Sequence, residues 1–346
     1  MTLKQDLART FSSILLLAAC TFAFAQDVPQ QVTIGEIEFF GYAGLDLSKL
    51  RSALPVHEGD QLKTSVLQET VDRMRQSVFE TIQKAPTDVQ TTCCDSQNRW
   101  IIFIGLPGSA EPFFLNPAPQ GSVHLPFTAL RLYQETIDAT LKAVSSGKAG
   151  EDRSRGYALS VDPELRNKQL ALRDYAIHHE ALVFDVLEHS ADADSRQAAA
   201  QILGYGNRSP GQLHALIRAT RDPDETVRNN AVRALAVMAE SNPRLATTIP
   251  AENFIAMLNS GLWTDRNKAG FLLFELTLTR PHALLEQLRN HALPALEEMA
   301  RWRSGHSYFA RMVLGRIAGI PETRLQKLAS QQNQAEAIIA DAQAVK

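Results

Sequence analysis

A chain of 346 residues is long enough for two or three folded units, and with 45% hydrophobic residues it can bury cores and is not disordered overall. A formal net charge of −3 supplies no overall field favouring nucleic acid or anionic lipid, so a nucleic-acid partner is not expected.

Lys4 and Arg9 precede an apolar run over 11–19, and Ala23-Phe24-Ala25 is followed by Gln26. A basic start, a short apolar core and a small-x-small site read as a secretory signal peptide over 1–25, so the mature chain is expected to begin at Gln26, exported to the periplasm or secreted. The run is too short for a mature transmembrane helix, which takes about 20 apolar residues. A rival reading is Leu17-Ala18-Ala19-Cys20, which resembles a bacterial lipobox and would leave a lipoprotein anchored at Cys20. The apolar Thr21–Ala25 behind it favours cleavage after Ala25. Cys93 and Cys94 are adjacent. Across a trans peptide their Cα atoms would lie ~3.8 Å apart, less than the roughly 4.4–6.8 Å of most bridges, which favours two thiols.

Thr33–Phe40 reads as a strand, with Ile37 and Phe39 on one face and Glu36 and Glu38 on the other. Leu47–Leu54 reads as a short helix stopped by Pro55. Ser65 and Gln68 form a capping-box pattern ahead of the stripe Leu67, Val71, Met74, Val78 and Ile82, predicting a helix to about Lys84. Val89–Cys94 and Trp100–Ile104 read as strands about the turn 95–98. The order strand, helix, helix, strand, strand, with Ile34-x-x-Ile37-x-Phe39-x-Gly41, Leu50, Leu54 and Gly59-Asp60, resembles a POTRA domain over 31–106. That resemblance implies an α+β module that binds other chains, often by strand addition at a sheet edge. Ten-residue alternating strands are not seen after it, so barrel insertion is not implied.

Residues 107–126 are rich in Pro and Gly and read as an inter-domain linker. Phe127–Val144 is amphipathic through Phe127, Leu130, Ile137, Leu141 and Val144, and it is followed by a polar linker to 162. We read this bridging helix as an N-terminal brace for the helical segments beyond 162. Asp162-Pro163 opens the next helix with proline in its first turn.

From 163 to 320 one pattern recurs. Arg196–Gly204 overlays Arg228–Ala236, with weaker copies at Arg266–Phe274 and Ser307–Gly315. The aligned alanines are Ala199, Ala231, Ala269 and Ala310, and each copy is preceded by a second apolar segment: Ala181–Leu187, Leu213–Ala219, Phe254–Leu258 and Leu293–Met299. This is a stack of helix-turn-helix units. Asp222-Pro-Asp-x-x-Val-Arg-x-x-Ala-x-x-Ala-Leu235 resembles the HEAT repeat, and the likeness extends over about 165–320. Asp192 aligns with Asp224 as a helix cap; the third copy keeps Arg266 but has Ser260 in place of the aspartate six residues before it, and the fourth is read as having lost the arginine altogether. Alanines should permit close helix approach, with Leu203, Leu235, Leu273 and Leu314 filling the space between units. Residues 321–346 are polar and Gln/Ala-rich, and read as one terminal cap helix anchored by Leu325, Leu328 and Ile338.

Chemistry is sparse. His178-His179-Glu180 is the one dense histidine cluster. Deoxyhypusine hydroxylase, a HEAT-like enzyme, binds iron through repeated His-Glu pairs, but here the pair stands alone, and one imidazole with one carboxylate is not a metal site. Neither a phosphate loop nor a nucleophile motif is present, so no catalytic residue, cofactor or metal is assigned. Arg196, Arg228 and Arg266 offer two readings, a basic binding ladder or arginines bonded to neighbouring turn aspartates and carbonyls, and the second is favoured. In HEAT arrays the second helix of each pair usually lines the concave face. With Val227, Ala231, Leu235 and Met238 inward, Asn229, Asn230 and Arg233 should face outward, as should Gln197, Ala198 and Gln201 in the first unit, Asn267, Lys268 and Phe271 in the third, and Tyr308, Phe309 and Met312 in the fourth. The resulting partner face is Asn229, Asn230, Arg233, Asn267, Lys268, Phe271, Tyr308 and Phe309, and burial of its aromatics under the C-terminal helix is the competing expectation. The expected function is a non-catalytic exported scaffold for protein or peptide partners. The alternative is a HEAT-like enzyme or a metal- or chromophore-handling protein, as in the bilin lyases.

Overall fold

The computed structural model of the protein describes residues 30–345, so the signal-peptide and Cys20 readings lie outside the described residues. The fold is a small N-terminal sheet domain followed by a mostly helical repeat array. The first strand is β1 (Gln31–Phe40). Helix α1 (Leu47–Ala53) is capped by Asp46, which accepts from the Ser48 and Lys49 amides. Strand β2 (Gln61–Lys63), helix α2 (Leu67–Ile82) and strands β3 (Asp88–Cys93) and β4 (Trp100–Gly105) complete the unit. The Ser65–Gln68 capping box does not form: 64–66 make a 3₁₀ turn, so the cap position falls on Val66, which has no side-chain acceptor. Cys93 and Cys94 are bridged, correcting the two-thiol expectation. That expectation assumed a trans peptide, whereas the bond between them is cis and the Cα atoms are 3.1 Å apart.

The sheet order is β2-β1-β4-β3, with β1 and β4 parallel and the outer pairs antiparallel. Its two faces serve two cores. Ile34, Ile37, Phe39, Ile102 and Ile104 pack with Leu50, Met74 and Val78 of the two helices. Phe40, Ile101 and Phe103 belong instead to the core of the array. The acidic face of β1 is therefore not turned to water, and Glu38 is buried.

Residues 107–126 contain no helix or named strand, yet they are held along the array. The amide of Glu111 donates to Asn259 O (2.9 Å), that of Asn116 to Arg221 O (2.7 Å), and that of Gly121 to His189 O (2.7 Å). These carbonyls lie at or just past helix C-termini, where they have no partner within the helix, and the strap supplies one. A Cβ on Gly121 would sit 2.6 Å from His189 O, so only glycine permits this approach.

Helix α3 (Phe127–Ser145) packs on the later helices α4 (Pro163–His178) and α6 (Ala193–Leu203), after the small hairpin β5 (Glu151–Asp152) and β6 (Leu159–Ser160). The repeat pairs are α5 (Glu180–His189) with α6, α7 (Pro210–Ala219) with α8 (Glu225–Ser241), α10 (Glu252–Leu258) with α11 (Trp263–Leu276), and α12 (His282–Ala300) with α13 (Ser307–Ile317). The extra turn α9 (Pro243–Ala246) and the 19-residue α12 account for the wider spacing of the later copies. Second helices stack on one another in order, with Ala199, Ala231, Ala269 and Ala310 fully buried at the crossings and Leu203, Leu235, Leu273 and Leu314 between units. Small residues let the backbones approach, and the leucines fill the resulting layer. The C-terminal segment is two helices, α14 (Glu322–Ala329) and α15 (Ala335–Gln343), rather than one. A break at Ser330 folds the chain back, so that Leu325 and Ile338 both reach the core.

Candidate partner-binding face

The arginine series forms a ladder of buried ion pairs between successive units. Arg196 binds Asp222 through two hydrogen bonds (2.8 and 2.9 Å) and also reaches the carbonyls of Ser190 and Ala191. Arg228 repeats this with Asp265 (2.9 and 3.0 Å) and the carbonyls of Asp222 and Pro223. The third rung differs. Arg266 donates to Ser260 O and to Glu298 (2.8 Å), and Glu298 also accepts from the backbone amides of Gly41 (2.6 Å) and Tyr42 (3.1 Å) in the N-terminal domain. In the fourth unit Arg311, one turn beyond the aligned position, donates to the carbonyls of Ala300 and Trp302. The arginine has moved rather than vanished.

Helix caps follow the same division. Asp192 and Asp224 cap α6 and α8 with their own side chains. Helix α11 has no such residue, and the amide of Trp263 donates instead to Asp88 of β3 (2.9 Å). Around this junction Phe103 stacks on Trp263 (4.8 Å between centroids) and meets Trp302 edge-on (4.9 Å). The outer edge of β1 is closed by side chains. Glu58 accepts from the Ile37 amide, Trp302 Nε1 donates to Phe39 O (3.1 Å), and Arg303 donates to Ile37 O and pairs with Glu38 and Glu58. Backbone groups that another strand would use are thus already engaged. Burial raises the Glu36 carboxyl to about 7, with Glu38 beside it adding to the shift, and Glu36 Oε2 is buried without a partner.

The second-helix layer, expected to be the open face, is partly covered by the chain itself. Tyr133 of α3 sits over Asn230, whose side chain also donates to Gln197 O (3.1 Å). The β5–β6 hairpin lies further along. Glu151 accepts from Arg233 (2.5 Å), while Arg153 pairs with Glu240 (3.1 Å) and lies 5.2 Å over the Phe271 ring. Asn230, Asn267 and Phe271 are accordingly buried, as are Ala198 and Met312. Helical spacing assigned them to an outer face but gave no sign of the segments lying on it. Asn229, Arg233, Lys268, Tyr308 and Phe309 are half-buried. Phe309 stacks on Phe271 (5.0 Å) and contacts Phe274. The C-terminal helices leave both Tyr308 and Phe309 partly accessible.

Lys268 is the chemically distinct member of the group. Burial pushes its ammonium down to about 8, nearby Arg233 adds to this, and Glu151 opposes it. His306, with Nδ1 3.2 Å from Asn267 Oδ1, is lowered to about 4 by burial and then by Lys268. Glu275 is raised to about 7 by burial and neighbouring Glu240. His178 and His179 are exposed at the α4–α5 junction. Among the described residues no group of three metal-ligating side chains is present. Glu151, Arg153 and Tyr133 were not foreseen as part of this face. For the hairpin, the one local signal was the charged run Glu151-Asp152-Arg153 within the polar linker.

Residues 180–250 match the family described as HEAT repeats. Among solved structures, a designed armadillo repeat protein in complex with the peptide (KR)4 is similar at 15% identity and a TM-score of 0.36, covering 56% of this chain and 96% of that one. No curated protein matches.

Proposed function

We propose that the protein is a non-catalytic, exported scaffold that binds protein or peptide partners through the second-helix face of its HEAT-like array. The observation that carries this reading is the layer in which Arg153 lies 5.2 Å over Phe271 and Phe271 stacks on the half-buried Phe309, with the half-buried cations Arg233 and Lys268 on the second helices of the same array, since cations beside aromatics are enriched in interface hot spots. The N-terminal unit serves as a POTRA-like second contact, and its candidate edge is β3, because β1 is closed by Glu58, Trp302 and Arg303. No helix among the described residues is long and apolar enough to cross a membrane, and export is proposed from the first 25 residues of the sequence alone.

The tagged chain is to be used to capture partners from the envelope fraction, with their identities read by mass spectrometry. Arg233→Gln with Lys268→Gln should abolish recovery of the specific partner from a chain that still unfolds cooperatively, with Glu151→Gln as the control for loss of the Arg233–Glu151 pair. Full recovery by that double variant would move the site to the β3 edge. Intact mass of the exported chain is expected to begin at Gln26; an acylated Cys20 would instead make the protein a lipoprotein.

A further inference from the structure

The strap over 107–126 does more than close helix ends. Between it and the first helices of the array lie two cavities that share a wall. One, of about 430 Å³, lies between α7 and α10, and the other, of about 290 Å³, between α5 and α7; Asn116 and Arg218 border both. Neither is lined by a residue of α6, α8, α11 or α13, so they stand apart from the second-helix face.

The two cavities differ in charge. The larger is basic: His214, Arg218 and Arg221 line it and no carboxylate does. His214, Ile217 and Arg218 fall at i, i+3 and i+4 on one face of α7, with Arg221 just past its end. Ile217 and Phe254 give this cavity an apolar wall. The smaller is lined by Leu187, Ala215 and Ala219 and by the carboxylates of Glu188 and Asp222.

Arg221 is the free group. Arg218 is ion-paired with Glu188 and Arg228 with Asp265, whereas among the described residues no hydrogen bond or ion pair reaches the Arg221 guanidinium. It is nevertheless held in place. The Asn116 amide donates to its carbonyl (2.7 Å), and its guanidinium lies 5.6 Å over the Phe114 ring. Phe113 packs on the core beneath Arg228, while Phe114 remains 65% exposed. A cation at the end of α7 also complements the helix dipole, but that role needs neither an exposed ring nor a cavity. An ordered, unmatched guanidinium beside an accessible aromatic has the composition of a docking point.

The planar fork of arginine matches one carboxylate through two parallel hydrogen bonds. Glu188 and Asp222 in the adjoining cavity disfavour a second negative charge there, and Leu187, Ala215 and Ala219 favour an apolar group. Adjoining cavities of different character suit successive side chains on one backbone. We propose that this groove binds an extended acidic peptide, with a carboxylate seated on Arg221 and an adjacent apolar side chain in the cavity between α5 and α7. Binding here does not depend on a partner at the second-helix face.

The test uses the full chain and blocked tripeptides, read by backbone amide shifts in an NMR titration. Acetyl-Leu-Glu-Leu-amide at millimolar concentration should shift the Asn116 and Arg221 amides saturably and leave those of Lys268 and Phe309 unmoved. Acetyl-Leu-Gln-Leu-amide should bind at least about tenfold more weakly, because it lacks the charge that the arginine fork matches. Acetyl-Gly-Glu-Gly-amide should lose about threefold or more, for want of an apolar side chain to bury. Arg221→Gln should abolish the preference for glutamate over glutamine, and Arg221→Lys should restore only part of it. Equal binding of the glutamate and glutamine peptides, or no saturable shift at Asn116, would overturn the proposal. So would inorganic phosphate shifting the same amides at lower concentration, which would mark a site for inorganic anions. If Arg221→Gln loosens the strap, seen as faster exchange of the Asn116 amide, the glutamate-to-glutamine ratio on the unaltered chain still decides.

Discussion

The first two repeat units and the last two solve the same packing problem with different partners. In the first pair, the arginine of one unit meets an aspartate of the next, in the turn for Asp222 and in the first turn of α11 for Asp265, and each second helix carries its own cap: Arg196 with Asp222, Arg228 with Asp265, Asp192 and Asp224 as caps. In the later pair, the rung from Arg266 ends on Glu298, which also holds Gly41 and Tyr42, and the cap of α11 comes from Asp88 of the sheet. Weak repeat motifs here mark the place where another domain supplies the missing groups. A repeat whose neighbour is a different fold is released from matching its siblings, because the bonds it must satisfy are no longer to them.

The largest effects should come from breaking a rung. Arg228→Ala leaves Asp265 buried and unpaired, and Glu298→Ala does the same to Arg266, so each should cost about 3–5 kcal/mol in urea unfolding. The two differ in reach. Glu298→Ala should also speed amide exchange in 31–43, whereas Arg228→Ala should leave that segment protected; equal exchange in both variants would mean the third rung does not tie the domains together. Next comes Leu235→Ala, between units, expected to cost about 2–5 kcal/mol and to lower the melting of neighbouring units with it. Near-neutral melting of that variant would contradict the stacking register. Asp224→Ala and Asp88→Ala each remove one cap and should cost about 1 kcal/mol. Only Asp88→Ala should increase proteolysis at the sheet–array junction.

The smallest effect is a pH dependence. The Glu36 carboxyl is raised in the folded state, so its contribution to stability is present below its unfolded value near 4.5 and is lost as pH rises through about 7. Glu36→Gln should therefore melt higher than the parent at pH 8 and not at pH 4. A gain of the same size at both pH values would mean that the substitution acts through packing alone.

Much of the fold is legible along the chain because it rests on local periodicity. The 3.6-residue stripes, the aspartate caps at Asp162, Asp192 and Asp224, and the alanine and leucine layers are properties of short segments, and they form where the pattern puts them. The partner face was legible only in part. Arg233, Lys268, Tyr308 and Phe309 retain access to solvent, but Asn230, Asn267 and Phe271 do not, because α3 and the β5–β6 hairpin lie across that layer.

By itself, then, the amino-acid order determined which segments are helices and strands, where most of the repeat helices begin, and which positions in each repeat are small or leucine. Those choices depend on neighbours a few residues away. Only the tertiary structure decided what lies on the other side of each surface. It turned a Pro/Gly-rich stretch into a strap over helix ends, made Asp88 the cap of a helix 175 residues on, and laid the β5–β6 hairpin over the second-helix layer, where Glu151 meets Arg233. Contacts between residues so far apart in the chain are set by how whole elements dock, and no spacing along the sequence encodes them.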